Sequence, residues 1–227
     1  MKILALETST EFASLALLCA GELRTLTLSN PPAHSATLLP ALRQLLAEAQ
    51  MGLAQLDVIA CGIGPGAFTG VRLACSVAQG LALGADLPVA PVCSLLALAQ
   101  AQHPSEKVYC AMDARMNEAY VAAYQRDGEG WTTVLAPSCV GSAAWPTPPS
   151  AGWIGVGTGF RAFPLEPGSE LAAHVMLLDP AAIPAAAAVA ALAGQVTWLD
   201  AAALAPLYVR DRVAQTVAER LATGGKA

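Results

Sequence analysis

Histidine and asparagine are almost absent from this chain: His34, His103 and His174 are its only histidines, and Asn30 and Asn117 its only asparagines. The histidines show no ligand spacing, so an imidazole-held metal has no ready seat. Charge is scarce too. Charged residues make up 13% of 227, with 12 Lys and Arg against 17 Asp and Glu, for a net charge of −5. The basic residues are scattered, with only Arg210 and Arg212 forming a close pair. That argues against free-standing nucleic-acid binding, which depends on clustered cations. Six cysteines (19, 61, 75, 93, 110 and 139) lie far apart without C-x-x-C spacing. Zinc and thioredoxin-like readings are weakened, leaving small buried hydrophobes in a reducing compartment. No apolar run reaches the roughly 18 uninterrupted residues of a membrane helix, since Arg72 and Gln79 break the longest one. Met1 to Glu7 reads as a strand, having no long apolar segment before its first acid and no small-residue cleavage site. A soluble, cytoplasmic protein without membrane association is expected.

What is present is apolar material in quantity, 55% of the residues, enough for one large domain or two modest ones. Periodicity predicts strands at Lys2–Glu7, Phe12–Cys19 and Glu22–Leu28, then a helix over His34–Gln50. A strand at Val58–Gly62, a helix over Thr69–Gly84, a strand at Leu87–Val92 and a helix over Ser94–Gln102 follow. Such an order indicates a mixed sheet flanked by helices. His103-Pro104-Ser105 is the best boundary, dividing the chain into 1–103 and 104–227. Beyond it, Val108–Asp113 and Glu118–Gln125 repeat the opening: strand, terminal acid (Glu7 or Asp113), short turn, strand. Two related subdomains are expected. Pro137 to Pro149 reads as an exposed connection, Trp153–Val156 as a strand, Ala181 to Ala193 as a helix, and Leu204 to Arg212 as a strand or extended tail.

The most informative stretch is Val58 to Arg72, a strand entering a loop that holds Gly62, Gly64, Gly66 and Gly70. Strand, glycine loop and helix N-terminus can cradle an anion with backbone N–H groups, through Gly64, Gly66, Ala67, Phe68, Thr69 and Gly70. The same glycines can equally serve a tight turn without any ligand. A P-loop is excluded, because Phe68-Thr69-Gly70 stands where Gly-Lys-[Ser/Thr] is required. The dinucleotide fingerprint fits in letters, but Pro65 removes one N–H and Asp86 precedes the next apolar run instead of ending it. Glu7 and Asp113 read as turn caps or as a carboxylate pair. Arg115 reads as an ion-pair partner or a ligand contact. Ser9 and Ser14 have no nearby histidine to activate them.

The helices differ from each other. His34–Gln50 carries one apolar stripe through Leu38, Leu39, Leu42, Leu45, Leu46 and Ala49, which can face a sheet or a partner. Thr69–Gly84 is apolar nearly all round, so it needs cover on more than one side.

Glu7-Thr8-Ser9-Thr10, Gly64 to Arg72, Asp113-Ala114-Arg115-Met116 and Leu207-Tyr208-Val209-Arg210 occur in that order. Together they closely resemble the bacterial TsaB (YeaZ) family over essentially the whole chain. The resemblance implies an α/β actin/sugar-kinase/Hsp70-like (ASKHA) fold, with two subdomains of related topology and mixed sheets flanked by helices. It implies a non-catalytic paralogue and partner of TsaD, which threonylcarbamoylates N6 of adenosine 37 in tRNAs reading ANN codons. TsaE, an ATPase, would join through the TsaB–TsaD complex, the chain would pair with itself when alone, and tRNA would be met only indirectly. Relatives have also been called glycoproteases, so a glycoprotease or a metal-independent nucleotide-binding enzyme is the alternative. TsaD-like enzymes hold a metal with an H-x-x-x-H pair, which falls here on Ser94 and Leu98, so neither metal nor catalytic residues are expected. The dimer face of such proteins lies on the two helices above, implicating Leu42, Leu46, Arg72, Leu73, Val77 and Leu81. Cleft residues would be Glu7, Thr8, Ser9, Asp113 and Arg115. No tightly bound cofactor is implied, only weak ATP or ADP at the partner interface.

Overall fold

The computed structural model describes residues 1–28, 34–102 and 105–210. The boundary expected at His103-Pro104 and the tail expected past Arg210 lie outside these residues. β1 (Lys2–Glu7), β2 (Ala13–Cys19) and β3 (Glu22–Leu28) form an antiparallel meander. Then come α1 (His34–Glu48), β4 (Val58–Gly62), α2 (Phe68–Ala85), β5 (Val89–Val92) and α3 (Ser94–Gln100). The first sheet has the order β3-β2-β1-β4-β5, with β1 parallel to β4 and β4 to β5.

A second five-stranded sheet follows the same plan. β6 (Lys107–Arg115), β7 (Glu118–Asp127) and β8 (Gly130–Gly141) make the meander. β9 (Trp153–Val156) and β10 (Val175–Asp179) add in parallel on the far side of β6, giving β10-β9-β6-β7-β8. Read from the β8 edge, this is the path of the first sheet strand for strand. The short helices α4 (Gly159–Ala162) and α5 (Glu170–His174) precede β10, and α6 (Ala186–Leu192) follows it.

Strand side chains alternate between two cores, which is why the central strands are apolar on both faces. Leu4, Leu6, Leu15, Leu17, Ile59 and Cys61 meet α1 and α2 on the outer face of the first sheet. Ile3, Ala5, Val58 and Ala60 point the other way, onto α3 and α6. α3 turns Leu95, Leu98 and Ala99 to the second sheet, against Val108, Cys110 and Met112. Tyr109, Trp145, Trp153 and Phe160 pack the outer face of that sheet. The six cysteines are unpaired.

Several expectations need correction. Residues 137–149 are not a loose connection: β8 runs to Gly141 and Trp145 is buried beyond it. Pro137 is tolerated in the strand because the register slips beside it, between the Val121–Ser138 and Ala123–Leu135 pairs. The alanine-rich helix starts at Ala186, capped by the Ser14 hydroxyl, which accepts the Ala186 N–H at 2.9 Å. The chain also crosses back. α6 covers the inner face of the first sheet, Leu199 bridges to Val89, and Ala201 and Leu204 join the core under α2. The cores on both faces of the first sheet thus draw on residues from both sides of position 103. From Leu204 to Arg210 the backbone carries no helix or strand.

Candidate functional site: a cleft beneath a C-terminal strap

A cavity of about 1110 Å³ opens where the two sheets' turn regions face each other. One wall is the glycine loop and first turn of α2, from Pro65 to Val71. The opposite wall is Met112 to Arg115 with Tyr120, Thr158 and Arg161. Leu207, Tyr208, Val209 and Arg210 close one side.

The loop glycines serve the chain's own packing. A β-carbon on Gly62 would overlap the Glu7 carboxylate, and one on Gly70 would overlap the Thr8 carbonyl oxygen. The turn after β1 thus lies directly against the loop. Thr8 donates its hydroxyl to the Gly70 carbonyl at 2.6 Å, and the Ala67 N–H reaches the Ser9 carbonyl at 2.7 Å. Glu7 and Thr8 are buried and do not line the cavity, which corrects their placement as cleft residues. Hydrogen bonds with Ser9, Ser94 and the Gly70 carbonyl hold them inward. Ser9, Asp113 and Arg115 do line it, as do Gly66, Ala67, Phe68, Thr69 and Gly70; Gly64 does not.

Glu7 is the knot beneath the loop. Its carboxylate accepts the Ser9 N–H at 2.6 Å and the Ser94 hydroxyl at 2.8 Å. Ser94 in turn accepts the Gly64 N–H at 3.2 Å and donates its own N–H to the Gly64 carbonyl at 2.8 Å. Burial pushes the Glu7 pKa up, and these hydrogen bonds oppose the rise. Ser94 therefore works as a structural brace, while Leu98 packs among Leu95, Val108 and Met112. These two side chains do not fit a divalent metal. Among the described residues no group of three or more His, Cys, Asp and Glu is gathered for one.

Asp113 caps its own turn, accepting the Arg115 N–H at 2.8 Å, and pairs with the Arg115 guanidinium at 3.1 Å. The capping reading therefore holds for both acids. Arg115, Met116 and Asn117 all have positive φ, between 54° and 62°. For L-residues this costs about 1–2 kcal/mol each, so the turn must be held by its surroundings. Arg210 supplies that hold, and the sequence gives no sign of it beyond the Leu-Tyr-Val-Arg string.

The residues expected to face a partner divide. Leu42 and Leu46 are 2% and 6% exposed, inside the core between α1 and the first sheet. They cannot present a surface, because the α1 stripe faces the sheet. Leu73, Val77 and Leu81 are partly exposed and Arg72 is exposed. The solvent face of α2 also holds Phe68 and Leu83, at 44% and 60% exposure. α2 is 18 residues long with a mean hydropathy of 1.2, enough by length and composition to cross a membrane, although Arg72 and Gln79 interrupt its apolar run. Its buried residues, Val71, Ala74, Cys75, Ala78 and Ala82, nevertheless pack on the first sheet.

Two five-stranded sheets of one topology, with helices between and outside them and a cleft at their facing turns, define an actin/sugar-kinase/Hsp70-like architecture. The family model for TsaD, tRNA N6-adenosine threonylcarbamoyltransferase, matches residues 30–149. The tRNA threonylcarbamoyladenosine biosynthesis protein TsaB of Escherichia coli is 39% identical over 173 residues, covering 72% of this chain and 74% of that protein. The Haemophilus influenzae TsaB is 47% identical over 130 residues, a match spanning 56% of this chain and 55% of its relative's length. The solved YeaZ structure from Pseudomonas aeruginosa superposes with a TM-score of 0.81 at 36% identity, over 91% of this chain and 99% of that one. The chain belongs to the TsaB (YeaZ) family.

Proposed function

We propose that this chain is a non-catalytic scaffold in tRNA threonylcarbamoyladenosine biosynthesis. It binds and activates TsaD for N6-threonylcarbamoylation of adenosine 37 in tRNAs reading ANN codons. TsaE joins through that complex, and the chain pairs with itself when TsaD is absent. Its relatives' names support the pathway, and Ser94 and Leu98 support the non-catalytic role.

The observation that carries the partner reading is the outer face of α2. Phe68, Arg72, Ser76, Gly80 and Leu83 follow one another at helical spacing and all are exposed. Gly80 sits in the middle of the helix, and a β-carbon there would meet nothing within 4 Å. A mid-helix glycine costs about 0.5–1 kcal/mol relative to alanine, yet no contact among the described residues requires this one. A partner helix seated closely on α2 would require it. The proposed interface is Arg72, Leu73, Val77 and Leu81, joined by Gly80 and Leu83 and without Leu42 and Leu46. The uncapped first turn of α2, at Phe68 to Gly70, is where a phosphate of weakly held ATP or ADP would meet backbone N–H groups.

The test is genetic and biochemical together. Cells depleted of this chain should lose threonylcarbamoyladenosine from their tRNA, as read by nucleoside mass spectrometry. Wild-type chain should restore it and retain TsaD in pull-down, whereas Leu83→Glu should remain folded and do neither. Unchanged modification after depletion would defeat the proposal.

A further inference from the structure

The last described residues form a strap that ties the two rims of the cleft together. On the first rim Leu204 is buried in the core under α2, and the Leu207 N–H donates to the Ile63 carbonyl at 2.8 Å. Tyr208 accepts the Arg72 Nε–H at 2.8 Å, while the Arg72 guanidinium lies 3.7 Å from the centre of the Phe68 ring. On the second rim Arg210 donates to the Ala114 and Arg115 carbonyls, at 2.8 and 3.3 Å, and pairs with Glu118 at 2.7 Å. Five residues separate Leu204 from Arg210, and between them the chain passes along the cleft whose side it lines.

The second anchor lands on the left-handed turn at Arg115 to Asn117. The carbonyls that Arg210 engages belong to the residues entering that turn, and Glu118 is the residue leaving it. A planar guanidinium can hold carbonyl and carboxylate together in a fixed fork, which a lysine ammonium cannot match. The Arg210 side chain is 15% exposed and that of Glu118 37%, so the guanidinium is sheltered while its carboxylate partner keeps part of its surface in water.

We propose that Arg210 is a latch: by pinning the strap to the left-handed turn, it couples the order of that turn to the order of the glycine loop across the cleft. Releasing the latch frees the strap from the second rim and loosens both walls. Arg210 is a positioning residue in this scheme, and the coupling rests on the fold alone, independent of the proposed role with TsaD.

Amide hydrogen exchange on the full chain tests this, comparing wild type with Arg210→Ala, Arg210→Lys and Glu118→Gln. In Arg210→Ala, amides of residues 113–118 should exchange about tenfold faster or more, and so should those of the strap and of residues 63–70. Core strand β1, and β7 beyond Glu118, should keep their protection. Arg210→Lys should restore the protection only in part. If residues 113–118 loosen while 63–70 and the strap stay as in wild type, Arg210 is only a local cap and the proposal fails. If Arg210→Ala does not fold, Glu118→Gln decides between the same two patterns, because it removes the charge partner and keeps the side-chain shape.

Discussion

Glu7 holds a carboxylate where water does not reach, and that position has a consequence for stability. Burial raises its pKa above the ordinary 4.5, so the native state binds this proton more tightly than the unfolded chain does. The group's stabilising contribution is then complete below the unfolded pKa and is lost as pH rises through the higher folded value. Denaturant unfolding of wild type and Glu7→Gln from about pH 4 to 8 should show this. The stability of wild type minus variant should be greatest at the acidic end and should fall with rising pH. A difference that does not change with pH would mean that Ser9 and Ser94 fully offset the burial. Gly70 gives a second test at this scale. Gly70→Ala sets a methyl group against the Thr8 carbonyl, part of a backbone already fixed by hydrogen bonds. Equilibrium unfolding should register a loss of about 1–3 kcal/mol or more. The glycines were legible in the sequence, but what they approach was not. Spacing shows where a chain needs room, and only the fold shows that Glu7, Thr8 and Ser9 fill it.

At the level of elements, α1 and α2 lie on the same sheet face and differ in what they leave uncovered. α1 turns Leu38, Leu42, Leu45 and Leu46 inward and exposes Arg43, Gln44 and Glu48. Leu42→Ala and Leu46→Ala should each destabilise by about 2–5 kcal/mol. On α2, substitutions such as Leu83→Glu should change stability by within about 0.5 kcal/mol and act instead on TsaD retention. Thermal unfolding beside pull-down for all three variants separates the two behaviours. If Leu46→Ala leaves stability intact, the α1 stripe has been assigned to the wrong side. The stripe itself could be read from the sequence, because apolar spacing near 3.6 marks a helix face. Its destination could not, since a sheet and a partner demand the same pattern. β8 and β10 escaped for other reasons. Pro137 argues against a strand unless a bulge receives it, and Val175 to Leu178 follows His174 with no turn residue between helix and strand.

Across the whole molecule, the repeat of strand, acid, turn and strand disclosed the duplication, because both sheets begin with the same meander. The return of α6 and of residues 199–207 to the first sheet was not legible, since local pattern carries no information about which of two similar sheets a helix will cover. That return also brings Arg210 against the chain's own groups, and other arginines are likewise engaged, which bears on tRNA. Arg72 lies against Phe68 and Tyr208, Arg210 pairs with Glu118, Arg115 with Asp113, and Arg24 with Glu22. Arg126 stacks over Trp131 at 4.3 Å. A phosphate backbone must compete with these partners on a surface whose formal net charge is −5. Binding driven by counterion release scales with the number of phosphates neutralised, so cations already engaged within the chain add less to affinity. The isolated chain should therefore bind tRNA no more tightly than a non-specific protein, with Kd on the order of 10⁻⁶ to 10⁻⁴ M at physiological salt. Fluorescence anisotropy with labelled tRNA at two salt concentrations measures both affinity and slope. A Kd near 10⁻⁸ M, the range of specific complexes, in the absence of any partner would show that these arginines leave their partners for RNA. It would give the chain a direct part in holding the substrate.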